Sequence, residues 1–368
     1  MKQKSIFWLI ASSLISLFFL CMSYIYERPF YADNKVEQIV FINESNGRSV
    51  LDKLVDDYFS SVNESIKIFA RDIHNSLEFQ RIIAKLEDLN KKGIKIEVFS
   101  NSIKEISIAT VYKVAFNITN DFIIMDDSTV YIPGSPFLDF KDQVGIMFVN
   151  CQAIAKDVGA FLKLYVQFPS LQLPLKNKVW SNELLVSNNI FNPILLGENE
   201  SVSFSQSNSL IPPVRDSVAA SIKSIVNKNN KKLYISSRSF CQSNAKIPYF
   251  IIQNATLSAS SIGCDVRVLI DESDDSFSCS LKWASTIASW KNVNIRVYRT
   301  NGHSINNFIL SDSTLMMGSN SFNASLFAGS FGLNMLYHAA NLNEYYSEFL
   351  SKWEVSSPFK DYSHILWP

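Results

Sequence analysis

Two segments, Asn120–Phe137 (NDFIIMDDSTVYIPGSPF) and Asn306–Phe322 (NNFILSDSTLMMGSNSF), carry the residues of this chain whose types and spacing come closest to a chemical pattern. Each reads as an apolar strand, an acidic turn containing Asp-Ser-Thr, a second apolar strand and then Gly-Ser. In a strand, residues i and i+2 face the same side, so a suitable pair ahead of the acidic turn would point together into one cleft. The chemistry such a cleft performs is set by the side chains of that pair, with the turn acid to orient them. The frame occurs twice.

The elements that must position these segments also occur twice. Leu51, Leu54, Val55, Tyr58, Phe59 and Val62 recur at helical spacing. A strand over Ser65–Phe69 follows, then a helix over Leu77–Leu89 that stops at Lys91-Lys92-Gly93, and a strand over Ile94–Phe99. In the second half Val218, Ile222, Ile225 and Val226 mark a helix and Lys232–Ser236 a strand. Tyr249–Ile262 is a helix stopped by Gly263, and Val266–Ile270 a strand. Cations and a Gly suit a helix C-terminus, so Gly93-IKIEVFS and Gly263-CDVRVLI are one joint used twice. The second half is longer, and the helix Leu281–Trp290 with its connections accounts for the excess. A helix with Ile154, Val158, Phe161, Leu162, Tyr165 and Val166 on one face closes the first half. This order predicts an α/β fold, internally duplicated, with mostly parallel or mixed sheets.

On these residues the chain resembles the phospholipase D superfamily, whose halves each carry HxKxxxxD followed by GSxN and meet at one active site. GIMFVNCQAIAKDVGAFLKLY and FLSKWEVSSPF resemble the segments after each motif in the membrane-anchored lumenal branch, which includes endolysosomal 5′ exonucleases, an inactive member and poxvirus envelope phospholipases. The resemblance covers most of Leu51–Tyr362. It implies a phosphodiesterase fold, with nucleic acid or phospholipid as the ligand class. In the second motif the acid falls on Asp312, the Lys position on Asn307 and the His position on Ile305. In the first, the acid falls on Asp126, the Lys position on Asp121 and the His position on Thr119, with Pro133 inserted before Gly134. Taking Asp127 as the acid would move those positions to Phe122 and Asn120 and restores neither side chain. Gly134-Ser135 and Gly318-Ser319 keep the motif turns, while Phe137 and Ser321 stand at the GSxN Asn, with Asn320 one residue away. Isoleucine is no nucleophile, and Asp121 places negative charge where a phosphate must sit. Family-type activity is therefore not expected, and the chain reads as an inactive member acting by binding.

Two rival readings stay open. His303 shares a strand face with Ile305 if the strand starts early, which would allow a divergent phosphodiesterase; the Asn301-Gly302 turn signal instead puts it in a loop. The other rival is a structural or oligomerising surface protein, with a second copy of the chain as partner. Asp126 and Asp312 read as turn residues or as relics of the orienting acids. His74, His338 and His364 lack an HxK context and read as surface or structural. Lys91-Lys92 and Lys228–Lys232 read as solvated ends of elements, and most aromatic residues as core. The four His show no metal-ligand spacing, and no cofactor motif is present.

With 34 Lys and Arg against 34 Asp and Glu, the chain of 368 residues exerts no bulk attraction on nucleic acid, and its 47% hydrophobic content supports a large core. Ser5–Tyr26 is an uncharged apolar run long enough to cross a bilayer of roughly 30 Å. Lys2 and Lys4 before it favour a cytosolic N-terminus and a type II orientation. The chain is thus expected in the endoplasmic reticulum, endolysosomes or cell surface; cleavage of the run as a signal peptide near Cys21 and Ser23 would make it secreted. Six sequons, Asn43, Asn63, Asn117, Asn199, Asn254 and Asn323, lie on the lumenal side. Beyond Cys21, four cysteines, Cys151, Cys241, Cys264 and Cys279, permit disulfides there, with Cys264–Cys279 the nearest pair in sequence. The expected division is 1–4 cytosolic, 5–26 anchor, 27–47 stalk, 48–170 first half, 171–213 linker and insertion, and 214–368 second half.

Overall fold

The computed structural model describes residues 36–44, 47–72, 77–102, 107–113, 121–137, 143–167, 194–207, 221–240, 246–273, 277–299, 305–318, 321–322 and 332–362. The Ser5–Tyr26 run therefore lies outside the described residues, as do Cys21, Cys241, Asn117, Thr119, Asn120, His74, His303, Ser319, Asn320, Asn323 and His364. Among the described residues no helix is long and apolar enough to cross a membrane.

The duplication is realised strand by strand. The first sheet contains β1 (Gln38–Ile42), β2 (Ser65–Asp72), β3 (Lys95–Ser102), β4 (Thr110–Lys113), β5 (Phe122–Met125), β6 (Thr129–Pro133) and β7 (Gly145–Val149). Their order across the sheet is β1-β7-β6-β5-β2-β3-β4. The second contains β8 (Ile194–Gly197), β9 (Glu200–Ser207), β10 (Lys232–Ser237), β11 (Asp265–Asp271), β12 (Val293–Tyr298), β13 (Phe308–Ser311), β14 (Thr314–Met317), β15 (Gly332–His338) and β16 (Ser357–Pro358). Its order is β16-β12-β11-β10-β13-β14-β15-β9-β8. Thus β9 to β15 repeat β1 to β7 in order. In both sheets the first three strands of the repeat after the edge strand run parallel and the motif strands pair antiparallel to them, so the sheets are mixed.

The helices follow the same repeat. A composite helix α1, built from Val50–Asp52, a π-helical stretch Lys53–Tyr58 and a final turn Phe59–Ser61, precedes β2. Then come α2 (Leu77–Lys91), α3 (Gln152–Gln167), α4 (Lys246–Ser261), α5 (Phe277–Ile287) and α6 (Asn343–Val355). Among the described residues, helix α5 between β11 and β12 has no counterpart between β3 and β4, and β8 and β16 are also added in the second half. Gly93 (φ 84°) and Gly263 (φ 85°) end α2 and α4 in the left-handed region, as the repeated helix-stop-strand joint requires.

Alternation along the motif strands divides the core into layers. Phe122, Ile124, Val130 and Ile132 of the first motif, and Phe308, Leu310, Leu315 and Met317 of the second, enter one cluster shared by both halves. Ile123, Met125 and Tyr131 face the opposite side, toward α1 and α2, while Ile309 and Met316 face the cluster containing α4 and α5 residues. The two sheets therefore pack through a common apolar layer, which brings the motifs face to face.

Three expectations change. Gln38–Ile42, inside the segment read as a stalk, is an edge strand paired with β7, because Phe41 and Ile42 have apolar layers to enter. Strands β8 and β9, inside the segment read as linker, extend the second sheet through β15. Cys264 is free and buried, so the Cys264–Cys279 bridge does not form. Cys279 is disulfide-bonded. Closeness in sequence does not bring two Cβ atoms within bridging range, and Cys264 faces the core beneath α4.

Candidate functional site

The two motif acids do one job in both halves. Asp126 follows β5, with a left-handed φ of 49°, and its carboxylate accepts from the backbone N–H of Asn63 (2.9 Å), Glu64 (2.8 Å) and Ser65 (3.0 Å) at the entry to β2. Asp312 follows β13 and accepts from Lys231 (2.6 Å) and Lys232 (3.3 Å) at the entry to β10. Each acid ties its turn to the start of the central strand of its half. The match puts the register on Asp126, since Asp127 forms an ion pair with Lys67 instead. Both acids are thus turn residues that cap backbone.

The two Lys positions also correspond. Asp121 is buried, and its carboxylate accepts from the N–H of Arg71 (2.8 Å), where β2 ends, and of Phe137 (2.6 Å). Asn307 is buried, and its Oδ1 accepts from the N–H of Arg238 (2.9 Å), just past β10, and from Ser237 Oγ (3.2 Å). Ser237 Oγ in turn accepts from the N–H of Phe322 (2.9 Å). The loop after each Gly-Ser turn is thereby fastened to the end of the central strand, directly by Asp121 and through a serine hydroxyl by Asn307. A Lys could accept none of these bonds.

The His position of the second motif, Ile305, is fully buried in the apolar layer between the sheets. Its N–H donates to Asp271 Oδ2 (3.1 Å), at the end of β11, while Ser273 donates to Oδ1 through N–H (2.8 Å) and Oγ (2.7 Å). Burial raises the pKa of Asp271 above the usual carboxylate range, against the opposing pull of these donors and of Arg238. His338, on β15, is exposed and shares a hydrogen bond with Thr314 Oγ1 (3.0 Å), a structural role.

The motifs meet across the halves. The Gly134 carbonyl accepts from Asn307 N–H (2.6 Å) and from its Nδ2 (3.3 Å), and Asn306 Oδ1 accepts from Val144 N–H (3.0 Å). Ser236 Oγ donates to the Asn306 carbonyl (2.7 Å). A Cβ on Gly134 would lie 3.1 Å from Asn306 Oδ1, so the close approach uses the missing side chain. Ser135 is fully buried, and its Oγ has no hydrogen-bond partner among the described residues. Gly318 is buried and Ser321 partly exposed. Neither takes part in this crossing among the described residues.

The geometry therefore brings Asp121, Asn307, Ile305 and Gly134 together at the crossing and sets Asp126 and Asp312 apart, at the far ends of the motif strands. Sequence reasoning overlooked Asp271, Asn306, Arg71 and Arg238. The two arginines stand at matching places, each two residues after the central-strand residue that pairs with the first Phe of its motif, and that repetition was the available signal. Among the described residues no cluster of His, Cys, Asp and Glu could hold a metal ion.

No family model matches the chain, and no curated protein matches it in sequence. Solved structures do match its fold. Phosphatidylserine synthase of Haemophilus influenzae Rd KW20 superposes with a TM-score of 0.63 at 10% identity, covering 92% of this chain and 91% of the synthase. Polyphosphate kinase of Porphyromonas gingivalis gives 0.51 at 9% identity, over 84% of this chain and 49% of the kinase. Nuc of Salmonella typhimurium, a phospholipase D family member, matches at 19% identity over 43% of this chain and 97% of Nuc, with a TM-score of 0.35. The chain thus shares its duplicated fold with the phosphatidylserine synthase over nearly the whole length of both.

Proposed function

We propose that this chain is a phospholipase D superfamily protein whose motif cleft has become a structural joint, and that it acts by binding, without phosphodiester cleavage. One observation carries this reading: the side chains at both Lys positions, Asp121 and Asn307, are buried acceptors spent on backbone amides and a serine hydroxyl. A phosphate entering there would meet a carboxylate; two unit charges at about 4 Å repel by about 4 kcal/mol at an effective dielectric of 20. Ile305, at the second His position, offers neither nucleophile nor general acid. Loss of such a group alone lowers a rate by roughly 10²–10⁴.

The same reading makes the protein a type II membrane glycoprotein anchored by Ser5–Tyr26, with the duplicated domain on the lumenal or extracellular side. Asn63, Asn199 and Asn254 are exposed and Asn43 partly so, which leaves these four sequons open to modification. The test is hydrolysis of single-stranded DNA, single-stranded RNA and phospholipid vesicles by the full-length protein. No turnover above buffer is expected; turnover that disappears in His303→Ala would overturn the proposal. Protease protection in sealed microsomes, with the glycosidase shift of the protected band, tests the topology.

A further inference from the structure

Arg267 on β11 and Asn294 and Arg296 on β12 share one face of the second sheet, because Arg267 pairs in register with Asn294 and Arg296 lies two residues on. With Ile295, Trp353 and Pro358 they line a recess of about 320 Å³. Four residues along β11 separate Arg267 from Asp271, roughly 13 Å at about 3.3 Å per residue. The recess is thus at the other end of the strands from the motif crossing. Strand β16 pairs only with Arg296 and Val297, so Asn294 stands at an uncovered stretch of the sheet edge and is exposed.

The two guanidiniums are held in place by contacts that leave donors over. Their carbons lie 5.5 Å (Arg267) and 5.1 Å (Arg296) from the centre of the Trp353 ring, and Arg267 also lies 5.0 Å from that of Tyr234. Arg296 Nη1 donates to the carbonyls of Trp353 (2.7 Å) and Ser356 (3.4 Å) at the end of α6. Arg267 Nε donates to Asp265 (3.0 Å). Both terminal nitrogens of Arg267, Nε and Nη2 of Arg296 and the Asn294 amide make no hydrogen bond to the described residues. No acid lines the recess, and Asp265 offsets one of its two positive charges. Guanidinium forks fixed on aromatic faces suit phosphate oxygens and lose little freedom on binding them.

We propose that this recess binds the phosphate group of a small phosphomonoester, free or carried on a lipid headgroup. A volume of about 320 Å³ is at the small end of ligand sites, near the roughly 300 Å³ limit, which suits a glycerol phosphate better than a nucleotide. Trp353 is only 8% exposed, with both cations near its ring, so no face is open for stacking a base.

The test uses full-length protein in detergent, titrated by calorimetry and tryptophan fluorescence with glycerol phosphate and with a water-soluble short-chain phosphatidate, the matching short-chain phosphatidylcholine being the control. Saturable binding of glycerol phosphate, competed by sulfate, identifies a free phosphomonoester. Binding only of the short-chain phosphatidate identifies the lipid source, and either result supports the site. Asn294→Asp should weaken binding at least tenfold with an unchanged melting temperature, since its side chain is exposed and unbonded, and Arg267→Gln should do the same to binding. Absence of saturable binding to both probes, equal affinity in Asn294→Asp, or binding of a single-stranded oligonucleotide alone would overturn the proposal.

Discussion

Replacing Asp121 separates a structural acid from a lost catalytic one. Its two carboxylate oxygens accept from the N–H groups of Arg71 at 2.8 Å and Phe137 at 2.6 Å, and the residue is 3% exposed, so water cannot take over either amide. Leaving a buried donor unsatisfied costs about 1–3 kcal/mol, and hydrogen bonds to a charged acceptor contribute about 1.5–3 kcal/mol. Asp121→Ala removes both bonds and should destabilise by about 3–6 kcal/mol. Asp121→Asn keeps one acceptor, now neutral, and turns an NH₂ toward the second donor, for about 2–4 kcal/mol. Asp121→Lys restores the family letter but sets a cation against two backbone donors, so it should resemble Ala or worse and gain no hydrolysis. Urea unfolding followed by tryptophan fluorescence reads the order: wild type, then Asn, then Ala. A change below about 1 kcal/mol in Asp121→Ala, or phosphodiesterase activity in Asp121→Lys, would refute the reasoning.

The remaining predictions concern the turn acids, the crossing and a surface network. Asp126→Ala removes the carboxylate that accepts from three backbone amides and puts Ala at φ 49°, so it should cost about 1–3 kcal/mol. Asp312→Ala removes acceptors from two amides and should cost less in the same unfolding assay. Gly134→Ala forces a methyl to 3.1 Å from Asn306 Oδ1 and 3.3 Å from Met317 Sδ, so it should lower stability by about 1–3 kcal/mol, measured as a fall in melting temperature. Asp52 has its pKa lowered to about 2 by the Ser49 hydroxyl, Arg81 and the Ser49 N–H. Because the folded value is below the 3.8 of a free aspartate, its contribution is full above that pH and fades as pH falls toward 2. Asp52→Asn should therefore lower stability by about 1–2 kcal/mol at pH 7 and by less near pH 3, read from urea midpoints at the two pH values.

Much of the scaffold was legible in the residues. The repeated strand, Asp turn, strand and Gly-Ser carried the duplication, and the periods of Leu51–Val62 and Ile154–Val166 marked helices that form. Gly93 and Gly263 announced the same joint, because a left-handed φ at a helix end selects glycine. The absence of His and Lys at Ile305, Asn307 and Asp121 was equally plain, and so was the likeness of Asp126 to Asp312. The role of these two acids was less plain, because their partners are backbone amides that leave no mark on residue type. Strands β1, β8 and β9 were missed for a related reason. They border polar segments, and β1 and β9 are stabilised by pairing with β7 and β15 from far along the chain, β8 by pairing with β9.

Sequence by itself determined that two equivalent strand-turn-strand units exist and that Ile305, Asn307 and Asp121 stand where the resemblance places His and Lys. Only the tertiary structure decided what these residues do there. Asp121 reaches back to Arg71 and on to Phe137, and Asn307 reaches Gly134 in the other half. Such contacts follow from two mixed sheets sharing one apolar layer, which sets distant segments within hydrogen-bond reach whatever their separation in the chain. The physical reason is burial: once that layer closes, every amide at the crossing needs an acceptor inside the protein, and the former Lys positions are where acceptors can be placed.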